Sequence, residues 1–390
     1  MALGVYAAPH IQKWEIQARI EKTRRGLLEE GFDGLVVIGR SFYDRPGPLA
    51  YLTNHFPPFP STVVSGEVRG MGHGILFIPR EGSPTLLIDA KAYRRDLVAI
   101  SDVRGNHNLS GGLLEVLKER GLTEGRIGLV GEDLLPLSLF RDLERALPGI
   151  TWQPAEALVS HQMRIKSPAE QALLRQAACV AGEGLKAALA SIGPGVRENQ
   201  VCAAGIAAAI EAGADFVRYL RVHSGEWSAW GARWPQAMDR EIRKGELVTL
   251  DIIGACRGYQ FDVLRTTPVG EPSKKQQEVL DIVLHALEAL KGAARPGVKA
   301  SELVKAARAI IEERGYGPFS SSFVGHGIGL ETVEEPYLLP GVDMELEEGM
   351  VLCLEPGIYI PEWGGCSIEE EVIITAKGAE QITDLPARLW

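Results

Sequence analysis

The 390-residue sequence contains no apolar run of about 18 residues, so nothing in it reads as a membrane-spanning helix. Cysteine is scarce. The five residues, Cys179, Cys202, Cys256, Cys353 and Cys366, are scattered, odd in number and never spaced Cys-x-x-Cys. That pattern suits reduced thiols in a cytoplasm rather than a disulfide framework. Positive charge is also in deficit. The 41 Lys and Arg against 51 Asp and Glu leave a formal net charge of −10 and a pI near 5.5, which argues against nucleic acid and anionic membrane as partners. No segment is low in complexity. The opening MALGVYAAPH is too short and polar for a secretion signal, which adds to the expectation of a cytoplasmic location.

What is present fits two domains. Residues 1–160 alternate helical and strand patterns: IQARIEKTRRGLLEEGFDGLVVIG is an amphipathic helix followed by a strand, and GHGILFIPREGSPTLLID is a hairpin. LLEVLKERGLTEGRIGLVG and LSLFRDLERALPGITWQP repeat the helix–strand rhythm, which predicts an α/β domain with helices packed on a mixed sheet. The boundary falls between Ser160 and Pro168, where Ser167-Pro168-Ala169-Glu170 is an N-cap followed by proline in the first turn. Residues 161–390 then read as helices, strands, helices, strands. Helices are expected near Glu198–Glu211, Lys274–Ala294 and Lys299–Arg314, giving an α+β domain with internal pseudo-symmetry. His55, His73 and His107, in the first domain, carry no convincing chemistry.

The chemistry lies in the last 140 residues. Asp251 and Asp262 sit in LVTLDIIGACRGYQFDVLRTT, His326 in FVGHGIGLETVEEP, Glu355 in GMVLCLEPGIYI and Glu369 in GGCSIEEEVIIT. Four hard oxygen donors and one imidazole suit a divalent-metal site, and the donor count suits two ions better than one. A turn centred between Cys256 and Arg257 would place Asp251 directly across a hairpin from Asp262, with Cβ atoms roughly 5 Å apart. A second turn centred on Glu362 would place Glu355 opposite Glu369. Like charges held in this way destabilise a sheet unless a cation lies between them. Taken singly, an Asp in a strand is more often an edge feature, and an acidic run such as Glu369-Glu370-Glu371 is usually a solvated face. Alternation separates the run, turning Glu369 and Glu371 to one side and Glu370 to the other.

These segments resemble the pita-bread metallohydrolases: methionine aminopeptidase, aminopeptidase P, prolidase and creatinase. The resemblance rests on Asp251 through Thr266, GHGIGL with EEP after it, EEGMVLCLEPGIYI, GGCSIEEEV, KGELVTLDIIG and MRIKSPAEQALLRQAACVA, and covers most of residues 160–390. More weakly, residues 1–160 resemble the creatinase-type N-terminal domain. The resemblance implies that Asp251, Asp262, His326, Glu355 and Glu369 hold two divalent ions (Mn, Co, Fe or Zn) that share and activate a water. It implies an Xaa-Pro aminopeptidase or dipeptidase, with the water attacking an amide carbonyl, Glu355 as ligand and proton shuttle, and a homodimer as the assembly.

Several positions depart from that family pattern. Family peptidases carry a histidine upstream of the first Asp, where this chain has Ala232, and another in a Gly-Leu-Glu-x-His-Glu-x-Pro stretch, where it has Val333. Ser367 replaces an arginine two residues before the last ligand, and Leu264 replaces a threonine two residues after the second Asp. The resemblance assigns those histidines to the scissile carbonyl and the oxyanion, and losing one such donor can cost about 10²–10³ in rate. Two other readings follow: a non-peptide C–N hydrolase or lyase acting on a small zwitterion, and a non-catalytic metal-binding interaction protein. His223, just before Ser224-Gly225, is the candidate substitute donor beside an ordinary strand histidine. Trp227, Trp230 and Trp234 are candidate pocket walls beside ordinary packing residues. Cys353 and Cys366 read as packing residues near the ligand strands.

Overall fold

The computed structural model describes residues 10–89, 93–231 and 233–390. They form two compact units, His10–Met163 and Arg164–Trp390. In the first unit a six-stranded sheet has the order Asp102–Gly105, Thr85–Ile88, His73–Pro79, Gly34–Arg40, Glu124–Val130, Gly149–Pro154. Its pairings are mixed: Gly34–Arg40 runs antiparallel to His73–Pro79 and parallel to Glu124–Val130. Gly34–Arg40 reads GLVVIGR and is buried at every position but the last. A strand buried on both faces has this continuous apolar reading rather than an alternating one. Val36, Ile38, Ile75, Phe77, Leu113, Val116 and Leu117 form the centre of this unit's core.

The second unit opens with the helix Pro168–Ser191. Ser167 caps it: the side chain accepts from the Glu170 N–H, while Glu170 accepts from the Ser167 N–H. Two orphan donors are satisfied at once, which is why the sequence stops extending and turns helical there. The helix Glu198–Glu211 follows, then the strands Phe216–Ser224, Leu247–Cys256 and Tyr259–Pro268 in one antiparallel sheet. The same order then recurs. Helices Lys274–Ala293 and Ala300–Glu313 precede a second sheet, ordered Glu334–Tyr337, Gly325–Gly327, Val351–Leu354, Glu370–Thr375, Gly378–Gln381. Bridges Arg197–Glu241 and Lys299–Glu345 hold the start of the second helix of each pair in equivalent ways. Each half has its own core. One gathers Ala177, Leu185, Leu220, Val222, Leu250, Ile252 and Val263, the other Val279, Val283, Leu287, Val304, Leu352 and Val372.

The two sheets are stitched along the edge strand Tyr259–Pro268. Glu369 N–H donates to the Leu264 carbonyl at 2.9 Å, and Asp262 N–H to Glu371 Oε1 at 2.8 Å. The Thr266 hydroxyl donates to the Ser367 carbonyl at 2.8 Å. Arg265 is the largest fully buried side chain. It pairs with Glu370 Oε1 at 2.8 Å and donates to the carbonyls of Leu264, Glu369, Leu385 and Pro386. An unpaired strand edge and a buried guanidinium would each be costly alone, and here each satisfies groups of the neighbouring sheet.

Candidate metal centre

The first two candidate ligands come from the hairpin Leu247–Cys256 and Tyr259–Pro268. Its register differs from the expected one. Asp251 lies opposite Leu264, and Asp262 lies opposite Ile253. The cause is the turn. Arg257 and Gly258 both have positive φ, 54° and 84°, so they form a two-residue connection closed by Cys256 opposite Tyr259. Such a turn matches the twist of the strands and shifts the partner of Asp251 by two residues. A two-residue shift preserves the face, so the two aspartates become diagonal rather than direct neighbours. The second hairpin has the expected register: Cys353 lies opposite Glu371 and Gly357 opposite Ser367, about a turn whose Glu362 has φ 64°. Glu355 and Glu369 stand at the break between those two ladders.

His326 lies on the short strand Gly325–Gly327, packed between two others. A Cβ on Gly327 would sit 2.4 Å from the Glu335 carbonyl oxygen, and one on Gly325 would sit 2.2 Å from that of Cys353. Only glycine fits on either side of the histidine. His326 Nδ1 lies 2.9 Å from the Gly327 carbonyl, so that nitrogen carries the proton and Nε2 keeps its lone pair. Burial pushes the ring down to about 4, so it is neutral at neutral pH. Nε2 lies 3.5 Å from Glu355 Oε1, 3.7 Å from Asp262 Oδ2 and 4.0 Å from Glu369 Oε1. Ligand atoms of Asp251, Asp262 and Glu369 all lie within 4.8 Å of one another.

This arrangement is electrostatically unfavourable without cations. Burial, and then the neighbouring carboxylates, hold Asp262, Glu355 and Glu369 well above the ordinary carboxylate range. Burial also raises Asp251, against the pull of Arg221, whose Nη1 donates to Asp251 Oδ2 at 2.7 Å. Asp251 Oδ1 and Glu369 Oε1 are buried with no hydrogen-bond partner among the described residues. Converging hard donors, orphaned oxygens and an imidazole with its lone pair turned inward fit divalent ions. Cys353 also lies within reach of His326 and Glu369. Burial and the surrounding carboxylates drive its thiol pKa upward, so it stays a thiol rather than a thiolate ligand.

The five candidate donors line a cavity of about 290 Å³. Arg218, Tyr219, Arg221, Ile253, Leu264, Phe323, Thr332 and Val333 complete the wall. Sequence reasoning singled out Leu264 and Val333 only as departures from the family pattern, and passed over Arg218, Tyr219, Arg221, Phe323 and Thr332. The alternation in FVRYLRVHS was the available signal: Leu220 and Val222 are in the core, while Tyr219, Arg221 and His223 take the other face. His223 is nevertheless absent from the cavity wall. It is buried opposite Thr249, its Nε2 has no hydrogen-bond partner among the described residues, and burial followed by Arg233 and Arg221 lowers it to about 4. Trp227, Trp230 and Trp234 do not line the cavity either; they are 40%, 54% and 90% exposed. Ser367 is fully buried and donates to the Pro356 carbonyl. Ala232 lies outside the described residues. No described helix is long and apolar enough to cross a membrane.

The chain is similar to known metallopeptidases. The family model described as metallopeptidase family M24 matches residues 172–376, and that of the creatinase/prolidase N-terminal domain matches residues 19–165. An Xaa-Pro dipeptidase of Pyrococcus horikoshii is 33% identical over 271 residues, 67% of this chain and 74% of that protein. The solved structure of the prolidase from Pyrococcus horikoshii superposes with a TM-score of 0.82 at 26% identity, over 96% of this chain and 100% of that one. That of an Xaa-Pro dipeptidase from Bacillus anthracis gives 0.82 at 30% identity, over 96% and 99%.

Proposed function

We propose that this chain, which belongs to metallopeptidase family M24 and is a metal-dependent hydrolase, cleaves Xaa-Pro dipeptides with two divalent ions held by Asp251, Asp262, His326, Glu355 and Glu369. The observation that carries the reading is the buried convergence of these five donors on one cavity. Two ions fit better than one because Glu369 belongs both to the group with Asp251 and Asp262 and to the set around His326. The oxygen-and-imidazole set suits Mn, Co, Fe or Zn. Bound there, such ions would supply Lewis acidity toward the scissile carbonyl and lower the pKa of a coordinated water from near 16 to about 7. Glu355 lines the cavity and is the carboxylate placed to take a proton from the attacking water and return it to the leaving nitrogen. Arg221 fixes Asp251 by holding one of its oxygens and leaving the other turned inward.

The peptidase names of the relatives lend no support to a C–N lyase or a non-catalytic binding protein. Hydrolysis of Ala-Pro by the full chain, with and without added Mn²⁺ after chelation, tests the reading. Metal-dependent release of proline is the expected result, and a metal-reconstituted protein that releases none contradicts it.

A further inference from the structure

Two rows of side chains, laid across three strands, build one wall of the cavity. Tyr219 lies opposite Ile253, and Ile253 opposite Asp262. Arg221 lies opposite Asp251, and Asp251 opposite Leu264. Residues directly across a ladder share a face, and all six line the cavity. Beyond Tyr219 the register breaks. Val217 lies opposite Gly254, which leaves Arg218 as the extra residue of a bulge. Gly254 permits the bulge, since a Cβ there would sit 2.4 Å from the Phe216 carbonyl oxygen. Bulges recur beside active sites, where they re-aim side chains. Two strand spacings, about 10 Å, separate the backbones of Tyr219 and Asp262, which leaves room for a carbonyl between the phenol and that carboxylate.

Hydrolysis of an amide builds negative charge on the carbonyl oxygen, and a donor aimed at that oxygen speeds the reaction most. Four wall side chains outside the candidate ligands carry N–H or O–H donors: Arg218, Tyr219, Arg221 and Thr332. Arg221 donates to Asp251 Oδ2 at 2.7 Å, and the Thr332 hydroxyl to Gln260 Oε1 at 3.2 Å. The Arg218 guanidinium lies 6.0 Å from the ring centroid of Phe216, a residue outside the cavity wall. The Tyr219 hydroxyl makes no hydrogen bond among the described residues. Its ring is held nonetheless, with the Arg221 guanidinium stacked 3.9 Å from the centroid. A phenol ordinarily titrates near 10, so it carries a proton to share at neutral pH. The resemblance gives two imidazoles to this task, and Val333 stands without a donor in the place of one.

We propose that the Tyr219 hydroxyl is a catalytic donor to the scissile carbonyl oxygen, serving in place of one of the two absent imidazoles. This rests on the Xaa-Pro reading above and adds the side chain that receives the oxyanion. Attack of the water oxygen on the amide carbon moves the C=O π pair onto oxygen. The Tyr219 O–H donates a hydrogen bond to that oxyanion and keeps its proton. The pair then re-forms C=O as the C–N bond breaks, and the proline nitrogen takes the proton that Glu355 removed from the water. Arg221, tied to Asp251 and stacked on the phenol, is the positioning residue that holds donor and ligand together.

The test compares the full, Mn²⁺-loaded chain with its Tyr219→Phe variant, which loses the hydroxyl and keeps the ring beneath Arg221. On Ala-Pro, kcat is expected to fall about 100-fold with little change in KM and none in metal content. Calorimetry adds a readout apart from turnover. Its probe is the phosphinic analogue of Ala-Pro, with a tetrahedral P(O)OH in place of the scissile carbonyl and CH in place of the proline nitrogen. Tyr219→Phe is expected to weaken this analogue about 10- to 100-fold, the range of a charge-assisted hydrogen bond. L-Proline, which has no scissile carbonyl, is expected to bind both proteins alike. An unchanged kcat overturns the proposal, as does a loss of metal or of proline affinity in the variant. If the wild type releases no proline from Ala-Pro, the Xaa-Pro reading fails, and the analogue decides about Tyr219. Analogue affinity lost in Tyr219→Phe then upholds the donor, and absent or unchanged affinity overturns it.

Discussion

Val333 stands in the cavity wall at the position where the family pattern has a histidine. It lines a cavity of carboxylates and guanidiniums with an apolar side chain that is 45% exposed. A neutral imidazole at that place would offer a donor to the developing oxyanion, and such a donor is worth about 10²–10³ in rate. Val333→His is therefore expected to raise kcat on Ala-Pro by up to about 100-fold with little change in KM, read by steady-state kinetics; an unchanged or lower kcat would mean that another group already serves. The four candidate carboxylate donors were legible in the sequence because carboxylates set within apolar strand patterns are costly to bury unless a cation neutralises them, and His326 because glycines flank it. Arg218 was not, because its place depends on a bulge, and no local pattern in FVRYLRVHS marks the break in register.

Elements set the spacing between those residues, and one side chain does much of the fastening. Arg265 joins the edge strand Tyr259–Pro268, which carries Asp262, to the strand Glu370–Thr375, which Glu369 immediately precedes. Both members of its ion pair with Glu370 are fully buried. Breaking a buried pair from one side leaves the other charge uncompensated, at a cost of about 3–5 kcal/mol. Arg265→Met is expected to lower stability by that amount in urea unfolding and to weaken metal retention, whereas a loss below about 1 kcal/mol would show that Glu370 finds another partner. At this scale the sequence was readable in part. The helix starts follow from their caps, and the turn at Glu362 falls where the pattern placed it. The first hairpin did not follow, because the spacing of apolar residues fixes the face but not the turn type. Arg257 at positive φ selected the tighter loop.

Metal would act on the whole molecule through its second unit, since every candidate donor lies within Arg164–Trp390. The two units have separate cores, so calorimetry of the full chain is expected to show two transitions, only one of which moves up on adding Mn²⁺. A single transition, or equal shifts of both, would contradict this. The metal-free protein has a defined pH response. Its carboxylates bind protons more tightly folded than unfolded, Glu371 being pushed up to about 8 chiefly by burial. The folded state then holds more protons, and stability falls as pH rises through that range. His223 and His326, lowered to about 4, act in the opposite sense, but only below their ordinary 6.5. Between about 6.5 and 8 the chelated protein should therefore lose Tm in its metal-sensitive transition, and the metal-loaded protein should lose less, because cations would lower the ligand carboxylates while Glu371 stays buried; a flat chelated profile would count against the carboxylate cluster. The most direct test of the central claim is the metal content of the purified full chain and of Asp262→Ala, measured by elemental analysis after dialysis against Mn²⁺. The account predicts about two ions per chain in the wild type and loss of retention in a still-folded variant; a folded Asp262→Ala that keeps the full metal content would contradict it.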